Sequence, residues 1–278
     1  ALIITTFHKA ARPIRILIAL NSSTGFRAHI MERWQNRVAL VTGASMGVGE
    51  AVVRTLVKQG MKVVGCARSV DKLKAIEEDL KNEKGQVMTL ECDLAKDEDI
   101  KVMFQKIKDK WGGVDVCVNN AGVTLNSNVL DGDPAQWEYM WKVNVHAACL
   151  CSRESYLSMK DRNIDDGQII NINSLSGHRV GSMHFYSVTK FALNAVTDAI
   201  RWQLRNIDSH IRVAEISPGL INSTFHGNYY QDEEPLNRIR QRQALQPEDI
   251  ASQVVNILSC PPHVQIHDIL MRPTEQKP

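Results

Sequence analysis

The chain has 278 residues, of which 44% are hydrophobic and 23% charged, and its formal net charge is +2. That length buries a sizeable core, and so slight a charge excludes the strong field that binding to nucleic acid or an anionic membrane surface demands. The sequence has no run of 18 or more apolar residues and no Cys-x-x-Cys pair among its six cysteines. No membrane span and no metal site are therefore expected, and a reducing, cytoplasmic setting without disulfides is.

Residues 1–30 differ from the rest. They carry Lys9, Arg12, Arg15 and Arg27 and no acidic residue. This composition fits a mitochondrial presequence, a weak secretory signal or sequence upstream of the true start. Met31 opens Met-Glu-Arg-Trp just before the first strand. The expectation is a disordered, targeting or non-native extension over 1–30 and a single domain over 31–278.

From residue 37 strands and helices alternate. An apolar strand at 37–42 leads into an amphipathic helix at 48–59 that Gly60 stops. A strand at 62–66 and a charged helix at 70–83 follow. Next come a strand at 86–91 and a helix at 97–111 with Ile100, Phe104 and Ile107 inward. After a strand at 115–119, Asp133 as N-cap and Pro134 at the first helical position start a long helix reaching about 159. A buried strand at 168–173 precedes the helix that holds Tyr186, whose Leu193, Val196, Ile200 and Leu204 recur at helical spacing. A strand at 212–217, a helix at 247–258 and a last strand at 266–271 close the chain. Strands alternating with helices of 10 to 15 residues give an α/β fold. We read one doubly wound, Rossmann-type domain, with a mostly parallel seven-stranded sheet and helices on both faces.

The turn after the first strand reads Thr42-Gly43-Ala44-Ser45-Met46-Gly47-Val48-Gly49. Glycines there let backbone approach a pyrophosphate at a helix N-terminus. The second strand ends in Cys66-Ala67-Arg68-Ser69, where an acid would bind the ribose hydroxyl of NAD. Arg68 instead suits a 2′-phosphate, with Ser69 adding a hydroxyl, so NADP is expected; a solvated surface arginine is the alternative. Asp93, before Leu94, sits where a carboxylate meets an adenine amino group or caps a helix. Asn119-Asn120-Ala121-Gly122 after the fourth strand can line a cofactor and tie strands together. Asn144, in an apolar helical stretch, is either a structural hydrogen bonder or the holder of a relay water.

Tyr186 and Lys190 lie one helical turn apart on one face. An ammonium beside a phenol favours the phenolate and draws its pKa toward the working range. Twelve positions before Tyr186 stands Ser174, at the end of a strand, where a hydroxyl can polarise a carbonyl. By itself the pair also fits a packed tyrosine beside a solvated lysine.

Together these motifs resemble the short-chain dehydrogenase/reductase family. The set is the glycine turn 42–49, Asn119-Asn-Ala-Gly122, Asn144, Ser174, Tyr186-x-x-x-Lys190 and Ser217-Pro218-Gly219, in the family's order over about 35–272. The resemblance implies that Tyr186 is the acid/base and Ser174 positions the carbonyl. It implies that Lys190 holds the nicotinamide ribose and Asn144 supports a relay water. Cofactor contacts are implied for Gly43, Ser45, Met46, Gly47, Val48, Gly49, Arg68, Ser69, Asp93, Leu94, Asn120, Ala121 and Gly122. The same holds for Pro218, Gly219, Ile221, Ser223 and Thr224, along with Tyr186 and Lys190. The Ser174–Tyr186 connection is shorter than the 13 or more positions expected in the family, and it lies over the substrate.

The segment 220–244 follows the Pro218-Gly219 turn and is the expected substrate wall. Phe225, Tyr229, Tyr230 and Leu236 give it apolar and aromatic surface, with His226 at the rim. With Ser174 and Tyr186, Phe225 and Tyr229 point to a lipophilic alcohol and its ketone or aldehyde; isoprenoid alcohols and keto-steroids are both suggested by the family. A homodimer or homotetramer is implied in the same way. The competing reading is an NADPH-binding scaffold or sensor with little turnover.

Overall fold

A computed structural model describes residues 31–181, 183–223, 225 and 243–276. Its centre is a sheet whose strands are β1 (Val38–Thr42), β2 (Lys62–Ala67), β3 (Gln86–Glu91), β4 (Val116–Asn119), β5 (Gln168–Ile172), β6 (Arg212–Pro218) and β7 (Asp268–Met271). The seven strands lie in the order β3-β2-β1-β4-β5-β6-β7, and every neighbouring pair is parallel. The chain starts in the middle, winds out to β3, returns beside β1 at β4 and winds out the other way. The helices that follow β1 and β4 therefore pack on opposite faces, leaving a crevice at the carboxyl edge where ligands of such sheets bind.

The central strands form because both of their faces are covered. β1 and β5 are buried along their whole lengths, and they read as near-continuous apolar runs. Successive residues of β1 serve opposite cores, as a period of two requires. Ala39 and Val41 meet Val52 and Leu56 of α1 (Gly47–Lys58) and Val254 of α7 (Pro247–Leu258). Val38 and Leu40 belong with Ile100, Met103 and Ile107 of α3 (Asp97–Trp111) and Cys151 of α5 (Ala147–Asp161). The fully buried Trp34 donates from Nε1 to the Leu258 carbonyl at 2.8 Å, which ties the lead-in to β1 to the end of α7.

Two helices differ from the expectation. α2 (Val70–Asp79) stops short of residue 83, in a stretch whose lysines and glutamates bury little. The long helix after Pro134 is interrupted: α4 (Pro134–Trp141) passes into a π turn, Lys142–His146, before α5. Asp133 caps α4 as expected, accepting from Ala135 N at 2.9 Å. A π turn carries no residue signature, and it buries Asn144 between β4 and the last long helix, α6 (His184–Asn206). Among the described residues no helix is long and apolar enough to cross a membrane, and no group of three or more acids, histidines or cysteines could hold a metal. The cysteines are all free.

Candidate active site

The crevice is built first from backbone. Thr42 Oγ1 accepts from the N–H groups of Asn120 and Ala121, each at 3.0 Å. Asn120 Nδ2 donates to the Thr42 carbonyl at 2.8 Å and to that of Gly43 at 3.2 Å. The turns after β1 and β4 are thus stitched together, and Asn120 spends its amide on that seam. Gly43 has φ +66°, and a Cβ there would stand 2.9 Å from Ala121 Cα, so only glycine fits. Gly47, at φ +59°, opens α1, and a Cβ there would approach Ser223 at 3.9 Å with nothing closer. Met46, the N-cap, supplies no side-chain cap to α1. The free first-turn N–H groups and the helix dipole make this corner favourable for an anion. Ser45 and Val48 are half-buried along the same turn, and Gly49 is buried beneath it.

At the end of β2, Arg68 and Ser69 are exposed and no acid follows the strand. Arg68 Nη1 donates to the Tyr139 hydroxyl at 2.9 Å. Asp93 is used differently from a helix cap: its Oδ1 accepts from Ala95 N at 3.1 Å, its N–H donates to Asp99 Oδ2 at 3.0 Å, and the N-cap of α3 is Lys96. Its neighbour Leu94 is buried. A glycine turn at a helix N-terminus, with a cationic side chain at the end of β2, fits the pyrophosphate and a 2′-phosphate of a dinucleotide. The far wall starts at Pro218, ending β6. Gly219 N donates to the Met271 carbonyl at 2.7 Å, Ile221 pairs with Leu245, and Ser223 Oγ accepts from Phe225 N at 3.4 Å.

Beyond the glycine turn the side chains take over. β5 delivers Ser174, whose Oγ accepts from Ser176 N at 3.1 Å and caps the short 3-10 turn Leu175–Gly177. α6 projects Tyr186 and Lys190 toward it from one face, 6% and 3% exposed. Lys190 Nζ donates to the Ile172 carbonyl at 3.0 Å and lies 5.7 Å from the centre of the Tyr186 ring. Asn144 is fully engaged in holding backbone: Oδ1 accepts from Val123 N at 2.8 Å, and Nδ2 donates to Val123 O at 2.9 Å and Thr189 Oγ1 at 3.0 Å. A Cβ on Gly122 would lie 3.6 Å from Asn144 Oδ1 and 3.9 Å from Lys190 Nζ. The β4 turn therefore passes close to Asn144 and the Lys190 ammonium.

The charge balance differs from the expectation in one respect. Burial pushes the Tyr186 phenol up from its ordinary value, and a hydrogen bond with Ser174 only partly opposes this. Taking a phenolate out of water costs more than the Ser174 hydrogen bond returns. Burial draws Lys190 down to about 8, against the pull of Glu215. Tyr186 is therefore a phenol at neutral pH in this arrangement.

Phe225 meets Tyr186 edge to face, with ring centres 5.6 Å apart. Thr224, His226, Tyr229, Tyr230 and Leu236 lie outside the described residues. Two side chains escaped the sequence reading. Tyr139, which contacts Arg68, had no signal at all. Glu215 had one: it is the lone acid in the mostly apolar strand Val213-Ala-Glu-Ile-Ser217.

The short chain dehydrogenase family profile matches residues 37–234. Dehydrogenase/reductase SDR family member 11 of Homo sapiens is 48% identical over 253 residues, covering 88% of this chain and 97% of that protein. The chain belongs to the short-chain dehydrogenase family. Farnesol dehydrogenase of Aedes aegypti is 39% identical, covering 89% of this chain and all of that one. Among solved structures, the closed form of serine dehydrogenase complexed with NADP+ superposes with a TM-score of 0.79 at 28% identity, covering 86% of this chain and 96% of that one. As a short-chain dehydrogenase the protein is an oxidoreductase acting on CH–OH donors with a nicotinamide cofactor.

Proposed function

We propose that this short-chain dehydrogenase uses NADP to interconvert a lipophilic alcohol and its ketone or aldehyde, with Tyr186 as the acid/base. One observation carries the reading: Tyr186, Ser174 and Lys190 converge at the carboxyl edge of β5, under the same Gly122 turn that the glycine loop is stitched to. The nicotinamide, when bound, supplies or accepts the hydride. The turn 43–49 and the residues 120–122 would cradle the pyrophosphate and nicotinamide side. Arg68 and Ser69 would hold the 2′-phosphate, with Asp93 and Leu94 at the adenine and Pro218, Gly219, Ile221 and Ser223 closing the far wall.

Each protein group then has a proton or charge to manage. In reduction, Tyr186 Oη gives its proton to the carbonyl oxygen, and its raised pKa keeps that proton available at neutral pH. Ser174 Oγ donates to the same oxygen as negative charge grows there. Lys190, as an ammonium, would hold the ribose and would stabilise the phenolate left behind. In oxidation the same phenolate takes the alcohol proton, which higher pH favours. Asn144 fixes Val123 and the π turn, and so the position of Gly122 above Lys190.

The Phe225 ring, packed on Tyr186, argues for an apolar substrate, and the names of the human and mosquito relatives agree with an alcohol–carbonyl pair. Val188, Phe191 and Trp202 on α6 are exposed apolar groups that suit pairing with a second copy. The test is a panel in both directions: long-chain isoprenoid aldehydes, keto-steroids and small polar sugars with NADPH, and isoprenoid alcohols with NADP+. Turnover of the first two classes supports the reading; turnover confined to sugars contradicts it.

A further inference from the structure

Beneath the tyrosine–lysine pair runs a buried polar network that the chemistry above leaves unused. Asn119 Nδ2 on β4 donates to Asn171 Oδ1 on β5 at 2.8 Å, and Asn171 Nδ2 donates to Thr197 Oγ1 on α6 at 2.8 Å. Thr197 Oγ1 donates in turn to Glu215 Oε2 on β6 at 2.7 Å. Glu215 Oε1 accepts from Asn173 Nδ2 at 2.7 Å and from Ser217 Oγ at 3.2 Å. The Asn173 amide also donates to the Lys190 carbonyl at 3.2 Å. Glu215 is 0% exposed and Lys190 is 3% exposed, and the Asn173 amide bonds to both residues. Ile172, whose carbonyl takes the lysine's proton donor, pairs across the sheet with Ile216, the residue next to Glu215.

We propose that Glu215 is a positioning residue for Lys190: a carboxylate clamped by Asn173, Thr197 and Ser217 is the fixed counter-charge that keeps the lysine an ammonium aimed at the site. Burying an unpaired charge is costly. Asn173, Thr197 and Ser217 hold the two Glu215 oxygens in place, where no solvent ion can replace the carboxylate. Burial alone pulls Lys190 toward the neutral amine, and Glu215 pulls it back. The inference rests on the role given above to Lys190. The other ionisable groups facing the junction are Tyr186 on α6 and His178, just past the 3-10 turn. His178 Nε2 lies 2.9 Å from Ser217 Oγ and 3.7 Å from Glu215 Oε1. β5 and the π turn present amides and carbonyls there. Farther along α6, Arg201 is occupied with the Val213 and His267 carbonyls, Asp198 and Asp268.

The test titrates Lys190 itself, by NMR of its labelled side chain in the full chain, alongside the pH profile of kcat/KM for NADPH-dependent reduction. In Glu215→Gln the Lys190 titration is expected to fall by about one pH unit or more, the size of effect a close opposite charge has. The alkaline limb of kcat/KM should fall with it, leaving activity roughly tenfold low at pH 8.5 and near normal at pH 6.5. A merely structural role would lower activity evenly across pH and leave the titration in place; that result overturns the proposal. If Glu215→Gln does not fold, Glu215→Asp must still move the titration downward by a smaller amount, and no movement overturns the proposal too. His178→Asn should leave the Lys190 titration where it is; an equal shift would reassign the effect to the histidine. A titration that moves while the pH profile does not would instead count against the role of Lys190.

Discussion

The two ends of the carboxyl edge are made in different ways. The nucleotide corner is made of backbone: two strand turns stitched by Thr42 and Asn120, and glycines where a side chain would strain or collide. The substrate side is made of side chains, Phe225 against Tyr186 and a wall that begins at Pro218. A ligand bound through backbone demands fixed residue types at fixed spacings, because only glycine meets the geometry. A ligand bound through apolar side chains can be accommodated by many residues, so the wall leaves a composition and no pattern. Under the proposed function the first end carries the cofactor and the second the choice of substrate.

The comparison can be broken or sharpened by substitution. Ser174→Ala removes a donor to the developing oxygen charge and should cut kcat by about 10²–10³, the usual loss for such a group; steady-state kinetics with saturating NADPH checks it. Arg68→Asp removes a charged hydrogen bond of roughly 1.5–3 kcal/mol. The NADPH-over-NADH preference in kcat/KM should drop about 10- to 150-fold, and a natural preference for NADH would reverse the cofactor assignment. Gly43→Ala forces a side chain into φ +66° against Ala121. About 1–3 kcal/mol of strain should appear as a lower melting temperature and weaker NADPH binding by fluorescence titration, together. Phe225→Ala loses an aromatic contact worth roughly 0.5–1.5 kcal/mol, so KM for lipophilic substrates should rise a few fold with kcat little changed. A kcat collapse there would mean the backbone end and the side-chain end are not separable.

The pH dependence follows from Lys190. Its depressed value, about 8, leaves the ammonium below that pH and the amine above it. Tyr186, shifted upward, stays protonated through the same range. The kcat/KM for reduction should therefore decline on the alkaline side with an apparent pKa of about 8, a limb that belongs to the lysine.

Much of the fold was legible because the central strands and the amphipathic helices obey simple periods. The bounds of α3 and α7 agree with the sequence reading to the residue. The π turn at Asn144 was not legible, since an extra residue in a helix is a matter of packing and has no signature of its own. The members of the proposed site were visible in their motifs, but the balance acting on Tyr186 was not. Spacing places a lysine near a phenol; it does not say that both will be buried, and burial decides the direction of the shift. Glu215 shows the same limit. One acid in an apolar strand marks a buried charge, while its clamp of Asn173, Thr197 and Ser217 is assembled from three separate elements.

The central claim is that the Tyr186 hydroxyl supplies the proton that accompanies hydride transfer. Tyr186→Phe keeps the ring and the Phe225 contact while deleting that hydroxyl, so the most direct measurement is single-turnover oxidation of bound NADPH by a lipophilic ketone. The account predicts unchanged NADPH binding and a transfer rate at least about 10²-fold slower, as the loss of a general acid entails. Near-normal transfer in that variant would contradict it.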